Sequence, residues 1–160
     1  MSEDSLVIYE QQMEKIDAVT LWVIKKAEAK CALLVDKNGH LITRQGFTQA
    51  LDITALAALL AGSFASTREI ARLVGEPEFS VLFHQGKKDH IHISLVNEQT
   101  ILAVIFDDRT TIGMVRLYCR EAGQKLNEIF AEPPPPSGQA GLGAEFTRTA
   151  ESRLDDIFGG

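Results

Sequence analysis

Cysteine is scarce in this chain of 160 residues: Cys31 and Cys119 are the only two, far apart and each inside an apolar segment. That usage excludes a disulfide-built scaffold and leaves buried, reduced thiols as the expected state. Long hydrophobic runs are absent too. The longest candidate, Ala55 to Ala61, is short and alanine-rich, well below the roughly 18 residues needed to span a bilayer. Basic residues are outnumbered, 16 Lys and Arg against 22 Asp and Glu, for a net charge of −6. Nucleic acid and anionic membranes both demand a basic footprint, so neither is an expected partner. The opening Met1-Ser2-Glu3-Asp4 is acidic where a secretory signal would be basic, which makes the cytoplasm the expected compartment.

Catalytic signatures are missing as well. The chain has no Gly-x-x-x-x-Gly-Lys-Ser/Thr phosphate loop, Gly-x-Ser-x-Gly elbow, His-Glu-x-x-His pair or Cys-x-x-Cys pair, so the expectation is a protein without a catalytic site, cofactor or metal of its own. The one metal candidate is His84 with His90 and His92. These could meet across a hairpin and hold zinc, but no fourth ligand stands nearby; the plainer reading is a polar or solvated sheet face. Asp107-Asp108-Arg109 invites a phosphate or cation site, yet reads more simply as a strand-to-helix turn with negative charge near a helix N-terminus.

What the chain does have is 45% hydrophobic and 24% charged residues, the mixture of an ordinary globular domain. Apolar residues at Leu6, Tyr9, Met13, Ile16, Val19, Val23 and Ala27 predict a long first helix. A strand over Cys31–Asp36, an Asn38-Gly39 turn and a second strand to about Phe47 predict a hairpin. Asp52 caps a helix predicted over 53–74, closed by Gly75 and Pro77. A three-strand meander follows, beginning at about Phe79–Gln85 and ending in the apolar Ile101–Phe106, which is expected to be central. A last helix starts near Thr110 or Thr111 and carries Ile112, Val115, Cys119, Ala122, Leu126 and Ile129 on one face.

This order predicts an α/β (α+β) three-layer sandwich: a five-stranded, mostly antiparallel sheet with helices on both faces. Residues 1–131 form the domain. Residues 132–147, rich in proline and glycine, read as a flexible linker. Residues 148–160 read as a short amphipathic motif grouping Leu154, Ile157 and Phe158, too short to stand alone as a helix.

The middle helix is the most informative segment. Leu56, Leu59, Leu60, Ile70 and Leu73 are expected to face the sheet, leaving Ala58, Ala61, Gly62 and Ala65 on the opposite side. Exposed helix faces ordinarily carry Glu, Lys or Gln, whereas a stripe of Ala and Gly lets another backbone approach. Packing beneath the other helices is the alternative explanation of that stripe.

Leu34-Val35-Asp36-Lys37-Asn38-Gly39, the Leu-Ala-x-x-x-Ala-Gly run from Leu56 to Gly62, Phe83-His84-x-Gly86-x-Lys88-Asp89, and Val104-Ile105-Phe106-Asp107-Asp108-Arg109-Thr110 with Gly113, Val115 and Arg116 together resemble the roadblock, or dynein-light-chain, family. Within it they resemble the MglB-like activators of the Ras-like GTPase MglA, over about residues 6–131. The resemblance implies a homodimer whose first meander strand, with Phe79, Val81 and Phe83, pairs with its symmetry mate. It implies a platform of paired middle helices for one GTPase molecule, formed here by Ala58, Ala61, Gly62, Ala65, Arg68, Glu69 and Arg72. It further implies accelerated GTP hydrolysis by reshaping of the switch regions, without an arginine finger, in cell polarity or surface motility and with concentration at a cell pole. The tail residues Leu154, Ile157 and Phe158 would dock on a separate GTPase surface. A roadblock scaffold that recruits a GTPase or motor without activating it is the alternative, and a small-molecule sensor of PAS or profilin kind is a third.

Overall fold

The structure is a computed structural model that describes residues 7–133. Its elements are α1 (Glu10–Ala27), β1 (Cys31–Asp36), β2 (Leu41–Gly46), α2 (Ile53–Val74), β3 (Val81–Gln85), β4 (His90–Asn97), β5 (Thr100–Phe106) and α3 (Ile112–Phe130). All four strand pairings are antiparallel and the spatial order is β2-β1-β5-β4-β3. β5 is therefore the central strand, and every one of its residues is buried.

Alternation along the strands divides the core in two. Ala32, Leu34, Leu102, Val104 and Phe106 point to α1 and α3, meeting Ile16, Val23, Val115, Cys119 and Leu126. Leu33, Val35, Ile93, Ile101 and Ala103 point the other way, to Ile53, Ala57, Leu60 and Phe64 of α2. The architecture is thus an α+β sandwich with two helices on one face and one on the other.

Local chemistry fixes the element ends. Asp52 accepts a hydrogen bond from the Ala55 amide at 3.1 Å, and Thr111 accepts one from the Met114 amide at 3.2 Å, each satisfying an amide that the first helical turn leaves unpaired. In the β1–β2 turn the Asp36 carboxylate accepts from the amides of Asn38 and His40, both at 2.9 Å. Gly39 completes that turn at φ +90°, with its backbone set close to Ala58 of α2.

The structure corrects two helical faces. The buried line of α1 is Gln12, Ile16, Thr20, Val23 and Ala27, with Tyr9, Met13 and Val19 at its margin. Gln12 is accommodated because its amide donates to the Ile129 carbonyl of α3 at 2.9 Å and its oxygen accepts from the Tyr9 amide at 2.8 Å. Leu6 lies outside the described residues. On α2 the buried line is Ile53, Ala57, Leu60, Ala61, Phe64, Thr67 and Ala71. Phe64, not Leu59, fills the sheet side, and the Thr67 hydroxyl is satisfied by the Ser63 carbonyl at 2.8 Å. Leu59, Ile70 and Leu73, expected inside, are 69%, 52% and 71% exposed.

Candidate partner-binding face

The outer surface of α2 consists of two parallel ridges, each stepping four and three residues. One is Ala58-Gly62-Ala65-Glu69-Arg72, small at its start and charged at its end. The other is Leu59-Ser63-Ser66-Ile70, with Leu73 and Val74 at its end. No other helix among the described residues covers either ridge, because α1 and α3 lie across the sheet. Packing beneath neighbouring helices therefore does not explain the small residues. Gly62 makes the point directly: a Cβ added there would meet nothing within 4 Å, although glycine costs a helix interior about 1 kcal/mol relative to alanine.

The first ridge carries most of the residues singled out from the sequence. Ala58, Gly62, Ala65, Arg68, Glu69 and Arg72 are exposed. Ala61 is not: at 7% exposure it belongs to the buried line, since its position on the turn points it back toward the sheet. Glu69 is held by Arg72, whose Nε donates to it at 3.0 Å, and that bond raises the affinity of the Arg72 guanidinium for its proton. Arg68 pairs with no carboxylate among the described residues. Ala65 and Arg68 border a cleft whose other wall is formed by Lys37 and Asn38 of the β1–β2 turn and by Glu98 and Gln99 of the β4–β5 turn.

The second ridge faces β3. Leu59, Ser63 and Ser66 line a hollow with Leu82 and His84 of that strand. β3 is an edge strand, and Phe79, Val81 and Phe83 are each more than a third exposed. Phe79 precedes the strand, which starts at Val81. Phe83 stacks on Phe106 at 6.1 Å between ring centroids. An unpaired edge beside an exposed Leu-Ile ridge is a surface that soluble proteins ordinarily cover. Sequence reasoning missed this ridge because it weighed side-chain size; its 4-3-4 spacing was the available signal.

The histidines do not form a metal site. In the β3–β4 register His84 lies opposite Ile91 while Phe83 lies opposite His92, so His84 points to the α2 face and His90 and His92 to the α3 face. Nor is the α3 side a solvated face, since His90 and His92 are buried. The described residues contain no group of three or more potential ligands. The His90 Nδ1 accepts from the Gly86 amide at 3.2 Å, which makes Nε2 the protonated nitrogen and the donor to Asp108 at 3.1 Å. Arg109 is drawn onto Asp107, with Nε and the backbone amide donating to one carboxylate oxygen at 3.0 and 3.1 Å. Those bonds hold the Asp107 carboxyl below its ordinary pKa. The segment is a turn tied to itself.

Burial acts on three further groups. It pushes the Cys31 and Cys119 thiols up to about 11 and about 12, so neither is a reactive thiolate. It also pulls the His92 imidazole from its ordinary 6.5 down to about 4, with help from Arg116. Between those values the unfolded chain takes up a proton that the folded chain refuses, so stability falls as the pH drops through that window. The loss amounts to about 3 kcal/mol by pH 4. Replacing His92 by leucine should flatten this dependence. Denaturant midpoints at pH 7 and pH 4.5 measure it, and an equal acid loss in both proteins would place the sensitivity elsewhere.

The Roadblock/LC7 domain family matches residues 15–106. MglB of Myxococcus xanthus is 46% identical, with 72% of this chain and 94% of that chain covered at a TM-score of 0.71. The gliding protein MglB of Thermus thermophilus is 30% identical, with coverages of 81% and 98% and a TM-score of 0.75. An MglB with tetrameric arrangement is 29% identical, with coverages of 78% and 94% at 0.73. Among curated proteins, no relative matches. No helix among the described residues is long and apolar enough to cross a membrane. On the family match and the two solved structures at 30% identity or more, the chain belongs to the Roadblock/LC7 family and is similar to its MglB members.

Proposed function

We propose that the protein is a homodimeric regulator of an MglA-like, Ras-family small GTPase and stimulates its GTP hydrolysis, in bacterial cell polarity or motility. The observation that carries this reading is the Ala58-Gly62-Ala65 ridge. It is exposed and is paved with residues too small to need the space they leave, and no contact among the described residues calls for Gly62. Such a surface lets the backbone of a partner element come within van der Waals distance of a rigid helix. The similarity to MglB proteins supplies the kind of partner.

The two ridges divide the work. The Leu59–Ile70 ridge and the β3 edge, including Val81 and Phe83 with Phe79 alongside, form the dimer contact. That contact sets two copies of the Ala58–Arg72 ridge side by side as a platform for one GTPase. The chain acts on the hydrolysis that its partner performs, by reshaping the switch regions, and Arg68, Arg72 and Arg109 have no catalytic role. Arg68 and the Glu69–Arg72 pair close one end of the platform and select a partner with matching charges. Residues 132–147 serve as a linker and 148–160 as a docking motif through Leu154, Ile157 and Phe158; residues 134–160 lie outside the described residues.

Single-turnover GTP hydrolysis by the MglA-like GTPase of the same organism tests the reading, with and without a twofold excess of the protein. A rate increase of at least tenfold is expected. Ala65→Arg, at an exposed position, should abolish that increase and the binding together while leaving the thermal midpoint unchanged. Binding without acceleration would leave a recruiting scaffold. Unimpaired binding by the variant would move the contact off this ridge.

A further inference from the structure

On the α1/α3 side of the sheet, a groove of about 340 Å³ runs between α3 and the β3–β4 hairpin. Arg116, Arg120 and Gly123 form its helical wall, and Val81, His92 and Ser94 its floor. Both arginines are exposed, and neither forms an ion pair among the described residues. The remaining lining residues carry no formal charge apart from whatever His92 holds. The groove is thus a positive strip in a chain of net charge −6. His92 is 1% exposed, and neither ring nitrogen bonds to any group among the described residues. A hydrogen-bonding side chain is therefore held beneath the groove with no partner of its own, an arrangement that folded proteins ordinarily avoid. A Cβ at Gly123 would meet nothing within 4 Å, so the wall is open at its middle.

We propose that this groove receives the acidic-apolar segment Glu151-Ser152-Arg153-Leu154-Asp155-Asp156-Ile157-Phe158 of the same chain. The carboxylates of Asp155 and Asp156 meet Arg116 and Arg120, and the apolar side chains cover Val81 and the open wall at Gly123. Two considerations favour this occupant over a foreign acidic peptide. The first is charge: the segment carries three carboxylates and one arginine, opposite in sign to the groove.

The second is tethering. From Pro133 to Leu154 the chain runs 21 residues, rich in glycine and proline, with a root-mean-square span of about 25 Å if flexible. The wall from Asn127 to Arg116 is about 16 Å long. The segment's effective concentration at the groove is then on the order of millimolar. A shallow, exposed groove of weak intrinsic affinity would remain empty with a free peptide and be substantially filled by a tethered one. A segment seated here is withheld from any other surface. The proposal stands independently of the GTPase reading and needs no GTPase in its test.

The test uses the full chain with Gly159→Cys carrying a nitroxide. Cys31 and Cys119 are buried, so the label takes the new thiol alone. The amide signals of Val81, Ser94 and Gly123 are expected to lose more than half their intensity, with those of Ala58 and Ala65 unchanged. Arg116→Glu with Arg120→Glu should restore them. Adding Asp155→Arg and Asp156→Arg to that protein should bring the loss back. Arg116→Gln with Arg120→Gln replaces the reversal if the latter disturbs α3. No loss in the parent protein, or a loss indifferent to either arginine pair, would overturn the proposal. So would loss at Gly123 of α3 in unlabelled, isotope-enriched chains mixed with labelled ones, since that would seat the segment on a second copy; Val81 is not read in the mixture, because it lies at the proposed dimer contact.

Discussion

Replacing Leu59 and Ile70 together by aspartate is expected to leave the protein folded and to reduce its mass in solution to the 17.6 kDa of one chain. Folding should survive because both side chains are more than half exposed within the single chain, so little intramolecular packing is lost. Association should not survive. If the second ridge of α2 faces its symmetry mate, the exchange removes four large apolar side chains from one contact. At about 1.5–3 kcal/mol each, at least ~6 kcal/mol is lost, which raises the dissociation constant by roughly four orders of magnitude. The new carboxylates would face one another and be desolvated, deepening the loss. Sedimentation equilibrium at micromolar protein measures the outcome. Leu117→Asp on α3, exposed at 45%, is the matched control and should leave the mass unchanged. A double variant that stays dimeric would remove the second ridge of α2 from the interface. The same protein assayed with the GTPase should lose its stimulation, since a single ridge is half a platform.

The second large effect is expected at Gly46, the last residue of β2. Its φ is +88°, and an added Cβ would sit 2.4 Å from the Lys30 carbonyl oxygen and 2.8 Å from the Cys31 Cα. Both are backbone atoms, and neither is free to retreat. The Lys30 carbonyl accepts from the Phe47 amide at 3.0 Å, and the Lys30 amide donates to Ile105 of the central strand at 2.8 Å. Relief of the clash therefore means parting β2 from β1 where Gly46 pairs with Cys31. Gly46→Ala should cost about 3 kcal/mol or more, a shift of several degrees in the thermal midpoint. A cost below about 1 kcal/mol would mean that the end of the hairpin rearranges freely.

Much of this architecture was legible in the residues. The hairpin turn was marked by Asn38-Gly39, the limits of α2 by Asp52 and Gly75, and α3 by an unbroken apolar spacing from Ile112 to Ile129. Uniform apolarity placed Ile101–Phe106 at the centre of the sheet. The orientation of α2 was not legible, because its leucines lie on two sides of the helix: Leu60 packs on the sheet with Ile53, Ala57 and Phe64, while Leu59 and Leu73 are exposed. Gln12 and Thr20 entered the core through hydrogen bonds to Ile129 and Ile16, partners that local periodicity does not reveal. The separation of His84 from His90 and His92 depended on a strand register, which one residue of slip would invert. For the candidate face, the exposure of Ala58, Gly62 and Ala65 was legible and that of Leu59 and Ile70 was not.

The pairing of β1 with β5 has a further consequence during synthesis. Cys31 lies opposite Ile105, so β1, the segment buried most completely in the first half of the chain, cannot find its neighbour until some 70 more residues have been made. At roughly 5–20 residues per second that interval lasts about 4–15 s. Throughout it, Ala32 to Val35 and the inner face of α1 remain without β5 and α3, which later complete their cover. The nascent chain is then most open to aggregation, and most in need of a chaperone, just before its central strand leaves the ribosome.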